Sequence, residues 1–125
     1  MPRWNMEVVI DCAEPPRLGP FWRDALGYRE QWAVDDLVVL VPETGAGTPV
    51  LLQRVPEPKT TKNRVHIDLV YDDVQAEVSR LESLGARRTH HGVRTYGPTE
   101  WVTMTDPEGN EFCVSTGVPE RDGSA

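Results

Sequence analysis

The stretch RVHIDLVYDD, residues 64–73, has a pattern that recurs in EVVIDCAE, residues 7–14. In both stretches polar and apolar residues alternate before an acidic residue, which is typical of a half-buried strand that leads to the N-cap of a helix. His66 precedes Asp73 by seven positions, and Glu7 stands at the same distance from the end of the earlier stretch. The two stretches superpose with an offset of 59 residues, so the chain contains an internal repeat.

Each stretch is followed by a helical pattern and then by three extended segments. The helical patterns end at Gly27 and Gly85, since glycine is favoured just after a helix. The leading strands are predicted over residues 6–12 and 64–71, and the later strands near residues 28–32, 36–41, 49–54, 86–90, 100–105 and 111–116. Both halves therefore have the order strand, helix, strand, strand, strand. The sequence predicts an α+β fold of two tandem βαβββ modules, in which each sheet has one apolar face and one polar face.

The two halves are joined by PEPKTTKN, residues 56–63, which is rich in proline and polar residues. Each half has about 55 residues and is short for an independent core. We therefore predict a single domain over residues 1–125. Its parts are module 1 at about 4–55, a linker at 56–63, module 2 at about 64–116 and a flexible tail at 117–125.

The composition limits the classes of function. The chain has a formal net charge of −7, and its short basic clusters are not interleaved with stacking aromatics, so we expect no nucleic-acid partner. No apolar run approaches the ~20 residues of a membrane-spanning helix, and the N-terminus lacks the long apolar region of a signal peptide. We therefore expect a cytoplasmic protein with no membrane partner, in which Cys12 and Cys113 are thiols rather than a disulfide.

Strand alternation divides the residues of the second leading strand between two faces. Arg64, His66 and Asp68 share the polar face. The other face carries Val65, Ile67 and Leu69, which we expect to pack against the helices. On the last strand the same alternation leaves Glu111, Cys113 and Ser115 on the polar face.

Four stretches together resemble the vicinal oxygen chelate superfamily, which includes glyoxalase I, fosfomycin- and bleomycin-resistance proteins and extradiol dioxygenases. They are DCAEPPRLGPFWRDALGY (11–28), LLQRVPEPKTTKNRVHIDL (51–69), EVSRLESLGARR (77–88) and WVTMTDPEGNEFCV (101–114). Within that superfamily the chain is most similar to the small glyoxalase-like domain proteins. The resemblance implies paired modules whose mixed sheets curve into a cup with the helices on the outer face. It also implies a homodimer.

The resemblance further implies a divalent metal in the cup. Glu7 and His66 match the ligand positions of the two leading strands, and Gln53 lies near the last-strand position of the first module. Cys113 stands where relatives carry a carboxylate. Zinc, nickel, manganese or iron are the candidate metals, and a cysteine ligand favours zinc. A metal-free cup is the alternative.

Several residues of the polar faces are candidates for a site. We interpret His66 and Glu7 as catalytic residues, either as metal ligands or as a general base; the alternatives are a hydrogen-bonded histidine and an ion pair of Glu7 with Arg64. Asp68 and Arg64 are interpreted as partners that hold the imidazole, and Arg64 could also clamp an anionic substrate. Trp101 is interpreted as an aromatic wall of the pocket or as core.

Other residues near the predicted pocket have simpler interpretations. Cys113 lines the pocket on its strand, or is a small buried hydrophobe. His90 and His91 are predicted to face solvent, and the loops at residues 43–48 and 90–99 are predicted to shape the mouth of the pocket.

Two functions are compatible with these features. The first is a small-molecule enzyme of glyoxalase-like type, an isomerase or lyase, in which a metal polarises a carbonyl or enediolate oxygen of the substrate. The second is a metal-free protein of the bleomycin-resistance type that binds a small aromatic or cationic ligand, which the acidic charge and the tryptophans favour.

Overall fold

The computed structural model describes residues 6–44 and 47–118. Predictions for residues 1–5, for 45–46 within the loop 43–48, and for 119–125 of the tail lie outside the described residues. The chain divides into two compact units, Met1–Thr60 and Thr61–Ala125, and the division falls within the segment 56–63. Each unit is described by itself.

Both units have the predicted order of elements, so the α+β class and the βαβββ repeat are confirmed. Unit 1 contains β1 (Val8–Cys12), α1 (Pro15–Leu26), β2 (Arg29–Val34), β3 (Leu37–Val41) and β4 (Val50–Arg54). Unit 2 contains β5 (Asp68–Val70), α2 (Val74–Leu84), β6 (Arg87–Tyr96), β7 (Thr99–Thr105) and β8 (Glu111–Ser115). None of the helices in the described residues is long and apolar enough to cross a membrane.

Each unit forms a mixed four-stranded sheet with the same topology. The strand orders are β1-β4-β3-β2 and β5-β8-β7-β6. The first strand of each unit pairs in parallel with the last strand, and the remaining pairs are antiparallel. The core of unit 2 lies between α2 and its sheet, as the predicted apolar stripe of that helix requires. Val78 and Leu81 of α2 are buried there, together with Met104, Phe112 and Val114 of the sheet.

The ends of α2 follow from local sequence chemistry. The carboxylate of Asp73 accepts a hydrogen bond from the backbone N–H of Ala76 at 3.0 Å, which caps the first turn. Gly85 ends the helix in the left-handed region with φ of 118°, where a side chain would be strained. The helix is thereby fixed in length, and the strands that follow it begin at a defined point.

The second leading strand is shorter than predicted. We predicted a strand over residues 64–71, but β5 covers only Asp68–Val70, and Val65 is 83% exposed instead of packed against the helices. The reason is the partner strand. Asp68 pairs with Cys113 in parallel register and β8 begins at Glu111, so no strand backbone is available to residues 64 and 65.

Strand β6 is longer than predicted and contains a bulge. It runs from Arg87 to Tyr96, so most of the predicted loop 90–99 is strand. Arg88 pairs with Met104 and Val93 pairs with Val102, which leaves the four residues 89–92 opposite a single residue of β7. Gly92 in this bulge has φ of 69°, in the left-handed region that glycine adopts without strain.

Candidate functional site

A row of side chains crosses the sheet of unit 2 on the face opposite α2. Asp68 pairs with Cys113, and Cys113 pairs with Thr103, so these three residues lie side by side on adjacent strands. Their neighbours along the strands, Leu69, Val114 and Met104, are buried on the helix side. Strand alternation therefore turns the polar row away from the core.

Three side chains in this region converge. The Nδ1 of His66 lies 3.1 Å from Oδ1 of Asp68. One nitrogen, oxygen or sulfur atom from each of His66, Asp68 and Cys113 lies within 4.8 Å of the other two. Cys113 is 4% exposed, whereas the side chains of His66 and Asp68 are 38% and 47% exposed. The cluster therefore has a buried sulfur at its base and two polar groups open to a ligand.

The surroundings of the Cys113 thiol raise its pKa. Burial raises its pKa, and the negative charge of Asp68 raises it further, against the lowering effect of a hydrogen bond with Thr103. The Thr103 Oγ1 lies 3.4 Å from the sulfur. A thiol with a raised pKa is a poor nucleophile by itself. A bound divalent cation would favour the thiolate, so this environment suits a metal ligand better than a free nucleophile.

A cavity of about 420 Å³ opens over the cluster and is lined entirely by residues of unit 2. Its volume is within the range of small-molecule sites. Trp101, Thr103 and Ser115 contribute to its floor, and cationic or titratable groups come from Lys62, His91 and Arg94. Glu111, which also lines the cavity, accepts a hydrogen bond from the backbone N–H of Asn63 at 2.8 Å.

His91 lies in the bulge of β6 and lines this cavity; the sequence placed it in the segment 90–99 that was predicted to shape the mouth of the pocket, but assigned it no role. Its side chain is exposed, as predicted for His90 and His91, but it also lines the cavity beside Arg94. Nη2 of Arg94 lies 2.5 Å from Nδ1 of His91. The pKa of His91 is lowered by desolvation and then by the charges of Arg94, His90 and Lys62. No periodic pattern could have revealed this, since a bulge depends on how two strands pair.

The other predicted site residues have different positions. Asp68, Trp101 and Cys113 line the cavity together with His66, whereas Arg64 lies in an exposed bend before β5 and is not among the lining residues. The predicted partnership of Asp68 with the imidazole is present as the 3.1 Å contact with His66. For Arg64, the described residues give no comparable contact with that imidazole.

Glu7 and Gln53 belong to unit 1. Glu7 is exposed directly before β1, and Gln53 is exposed on β4, where it pairs with Asp11. Because Asp11 is four residues after Glu7, the backbone of Gln53 is displaced from that of Glu7 by about 13 Å along the strand direction. The register makes Leu51, the partner of Val9, the counterpart of Cys113 in unit 1.

The chain matches the model of the glyoxalase-like domain over residues 7–115. It belongs to the glyoxalase-like domain family. No curated protein sequence matches the chain, but solved structures with the same fold span nearly all of it. The family match confirms the resemblance to a glyoxalase-like domain that the sequence indicated.

Three of these structures illustrate the range of the superfamily. The fosfomycin resistance protein FosX from Listeria monocytogenes, in complex with Mn(II) and sulfate, has a TM-score of 0.73 at 13% identity and covers 94% of this chain and 93% of its own. Lactoylglutathione lyase from Agrobacterium tumefaciens has a TM-score of 0.64 at 19% identity, and the match covers 92% of this chain and 94% of the lyase chain. The bleomycin-binding protein of Streptomyces verticillus, in complex with copper(II)-bleomycin, has a TM-score of 0.63 at 14% identity. That match covers 92% of this chain and 97% of the bleomycin-binding protein. At these identities the likeness shows the fold.

The donor set of unit 2 fits a divalent metal of the zinc type. Imidazole nitrogen, carboxylate oxygen and thiolate sulfur are the ligands that Zn²⁺ takes in proteins. The separation limit of 4.8 Å is wider than a closed tetrahedral site requires, so the side chains would move inward on binding. Manganese and magnesium prefer oxygen-rich sites, and the sulfur of Cys113 argues against both.

Proposed function

We propose that this protein is a glyoxalase-like enzyme that acts on a small molecule in the cavity of unit 2, as a lyase or isomerase assisted by a divalent metal. The observation that carries the proposal is the convergence of His66, Asp68 and Cys113 at the base of a cavity of ligand size. Titratable groups that converge in such a cavity are candidates for chemistry rather than for stability alone.

Each side chain has a separate role in this proposal. The carboxylate of Asp68 lies 3.1 Å from Nδ1 of His66, where it would orient the imidazole and leave Nε2 to hold a metal or take a proton. Cys113 supplies the buried sulfur ligand, and Thr103 restrains it. The metal, when bound, supplies a Lewis acid for a carbonyl or enediolate oxygen. The role of Glu7 as a ligand or base stays a prediction.

The metal part of the proposal is tested on protein purified without a histidine tag. Elemental analysis and calorimetric titration with zinc, nickel, manganese and Fe(II) should give one site per chain, with zinc bound most tightly. His66→Ala should lose this site, whereas His90→Ala, a matched exposed histidine outside the lining of the cavity, should retain it. Failure to bind any metal with better than micromolar affinity would remove the metal from the mechanism.

The catalytic part needs its own measurement. Small carbonyl and enediol compounds are screened with metal-loaded protein, and turnover should fall in His66→Ala and in Asp68→Asn. Proton exchange at the carbon next to the carbonyl, followed by NMR in deuterated water, detects an abstraction step even where no net product forms. A complete absence of exchange and turnover across the screen would favour a binding function.

A metal-free binding protein is the second candidate. The polar groups of the cluster already have partners, since Asp68 lies 3.1 Å from His66 and Thr103 contacts the thiol. A cluster satisfied in this way does not need a metal for stability. A thermal-shift screen separates the two functions: ligand stabilisation that survives a chelator supports binding alone, and stabilisation that the chelator removes supports the metalloenzyme.

We also propose that the protein is a cytoplasmic homodimer. Both cysteines, Cys12 and Cys113, are free and buried, which suits a reducing compartment. Light scattering at micromolar concentration should give twice the mass of the 14.0 kDa chain. A monomer under those conditions would contradict the dimer, while leaving the site in unit 2 untouched.

A further inference from the structure

We propose that the cavity of unit 2 selects ligands that carry an oxyanion, a carboxylate or a phosphonate, bound by Arg94 with help from Lys62 and positioned by His91. The inference rests on the proposed function in that it names the substrate class of the same cavity. The inference depends on residues other than those of the metal cluster, so the oxyanion site and the metal site can be refuted separately.

Strand register directs Arg94 to the cavity. It pairs with Trp101, which pairs with Ser115, so these three form a second row on the same face as Asp68, Cys113 and Thr103. The two rows are two residues apart along β7 and β8, which is about 7 Å. Because β6 and β5 are at opposite edges of the sheet, an anion held by Arg94 would lie beside Trp101, while the cluster at His66 lines the other side of the same cavity.

The bulge in β6 pre-orients the arginine. Residues 89–92 are looped out opposite Thr103, and the hydroxyl of Thr89 fixes the loop by donating to the carbonyl of Thr103 at 3.0 Å. The bulge brings His91 beside Arg94, and because a guanidinium only donates, Nδ1 of His91 must be the acceptor. One N–H of Arg94 is used in this contact, and the remaining donors are left for a planar or tetrahedral anion.

The charges around Arg94 leave it available for a ligand. Arg23, Arg54 and Arg80 each form a salt bridge with a carboxylate, whereas Arg94 has a neutral imidazole as its partner. Within residues 6–44 and 47–118, neither Arg94 nor Lys62 lies within salt-bridge distance of a carboxylate. The lowered pKa of His91 agrees with this positive local environment.

The two carboxylates that line the cavity, Asp68 and Glu111, do not form a salt bridge with the arginine. Asp68 lies 3.1 Å from His66, and Glu111 accepts from the backbone of Asn63. The two cations of the lining, Lys62 and Arg94, balance these two carboxylates, whereas the protein as a whole has a net charge of −7. A substrate anion would gain charged hydrogen bonds there that most of the surface does not offer.

The test uses three probes that share a phenyl group: phenylacetate, phenylphosphonate and the neutral phenylacetamide. Binding is followed by NMR from the indole N–H of Trp101 and the Nε–H of Arg94, with chelator-treated protein and with zinc added. Both anions should shift these signals to saturation, and phenylacetamide should bind at least tenfold more weakly. That factor is the low end for loss of a charged hydrogen bond. Comparing the two anions shows whether the site prefers a carboxylate or a dianionic phosphonate.

Variants identify the residues that bind the anion. Arg94→Met should weaken both anions at least tenfold, and Arg87→Met, an exposed arginine of the same strand outside the cavity lining, should leave them unchanged. His91→Leu should weaken the anions and broaden the Nε–H signal of Arg94, with no effect on phenylacetamide. His91→Gln, which retains an acceptor, should restore much of the affinity.

The outcomes separate this inference from the metal proposal. Equal binding of acid and amide, unchanged anion affinity in Arg94→Met, or the absence of any saturable shift would each overturn the inference. Anion binding that depends on Arg94 in a protein that takes up no zinc would sustain it and reject only the metal. Zinc binding retained in Arg94→Met would confirm that the two groups of residues act separately.

Discussion

The contact between Asp68 and His66 allows a sharp test of the proposal that the cluster binds a metal. Asp68→Asn removes the carboxylate charge but keeps the shape of the side chain, so the fold should be unchanged. Loss of a carboxylate that orients a metal-binding histidine typically lowers metal affinity by 10- to 100-fold. Because the two side chains are 38% and 47% exposed, solvent screens their interaction and the effect should be near the lower limit. We expect about a tenfold loss, or about 1.4 kcal/mol.

Competition between the protein and a chelating dye for zinc measures this difference directly. Asp72→Asn, a substitution of an exposed aspartate just after the same strand, is the matched control and should bind zinc as the unchanged chain does. A loss of much more than 100-fold would mean that Asp68 ligates the metal itself rather than through His66. Equal zinc affinity in Asp68→Asn and the unchanged chain would refute the role given to this carboxylate.

Three further predictions concern the sulfur ligand and the fold. Cys113→Ser should abolish the thiolate-to-metal charge-transfer absorption of the cobalt-loaded protein, and retention of that band would mean that another residue provides the sulfur. Phe112→Ala should lower the free energy of unfolding by about 3–5 kcal/mol in a denaturant titration, because Phe112 is fully buried, and a change below 1 kcal/mol would contradict that burial. Val65→Ser should change the stability by less than about 0.5 kcal/mol, since Val65 is 83% exposed, whereas a core position on a strand, as alternation predicted, would give a several-fold larger loss.

The sequence predicted the fold well because its signals are local and repeated. The N-cap at Asp73, the stop at Gly85 and the apolar stripe between them determine α2 without reference to the rest of the chain. Errors arose where a feature depends on a partner strand. Residues 64–67 alternate like a strand, but β8 begins at Glu111 and offers no strand backbone to residues 64 and 65. The bulge that contains His91 exists only in the pairing of β6 with β7.

The candidate site was predictable in part, because some of its features depend on local sequence and others depend on which strands pair. His66 and Asp68 share a strand face by alternation, and Cys113 was assigned to a matching face of the last strand. That these three converge depends on the parallel register of β5 and β8, which the chain specifies only through its whole core. Arg94 was not singled out, because an arginine beyond a bulge has no periodic relation to the residues before it.

The two units also show why a repeat in the sequence does not imply a repeated site. The positions of His66, Asp68 and Cys113 correspond by register to Glu7, Val9 and Leu51. The row that crosses the sheet of unit 1 is apolar, with Val9 paired to Leu51, Leu51 to Val39 and Val39 to Trp32. Such a row offers a surface for apolar ligand groups but no nitrogen, oxygen or sulfur donor. The two units share one topology, while the cluster of His66, Asp68 and Cys113 and the side chain of Arg94 belong to the second, so the proposed metal and oxyanion sites are tested there.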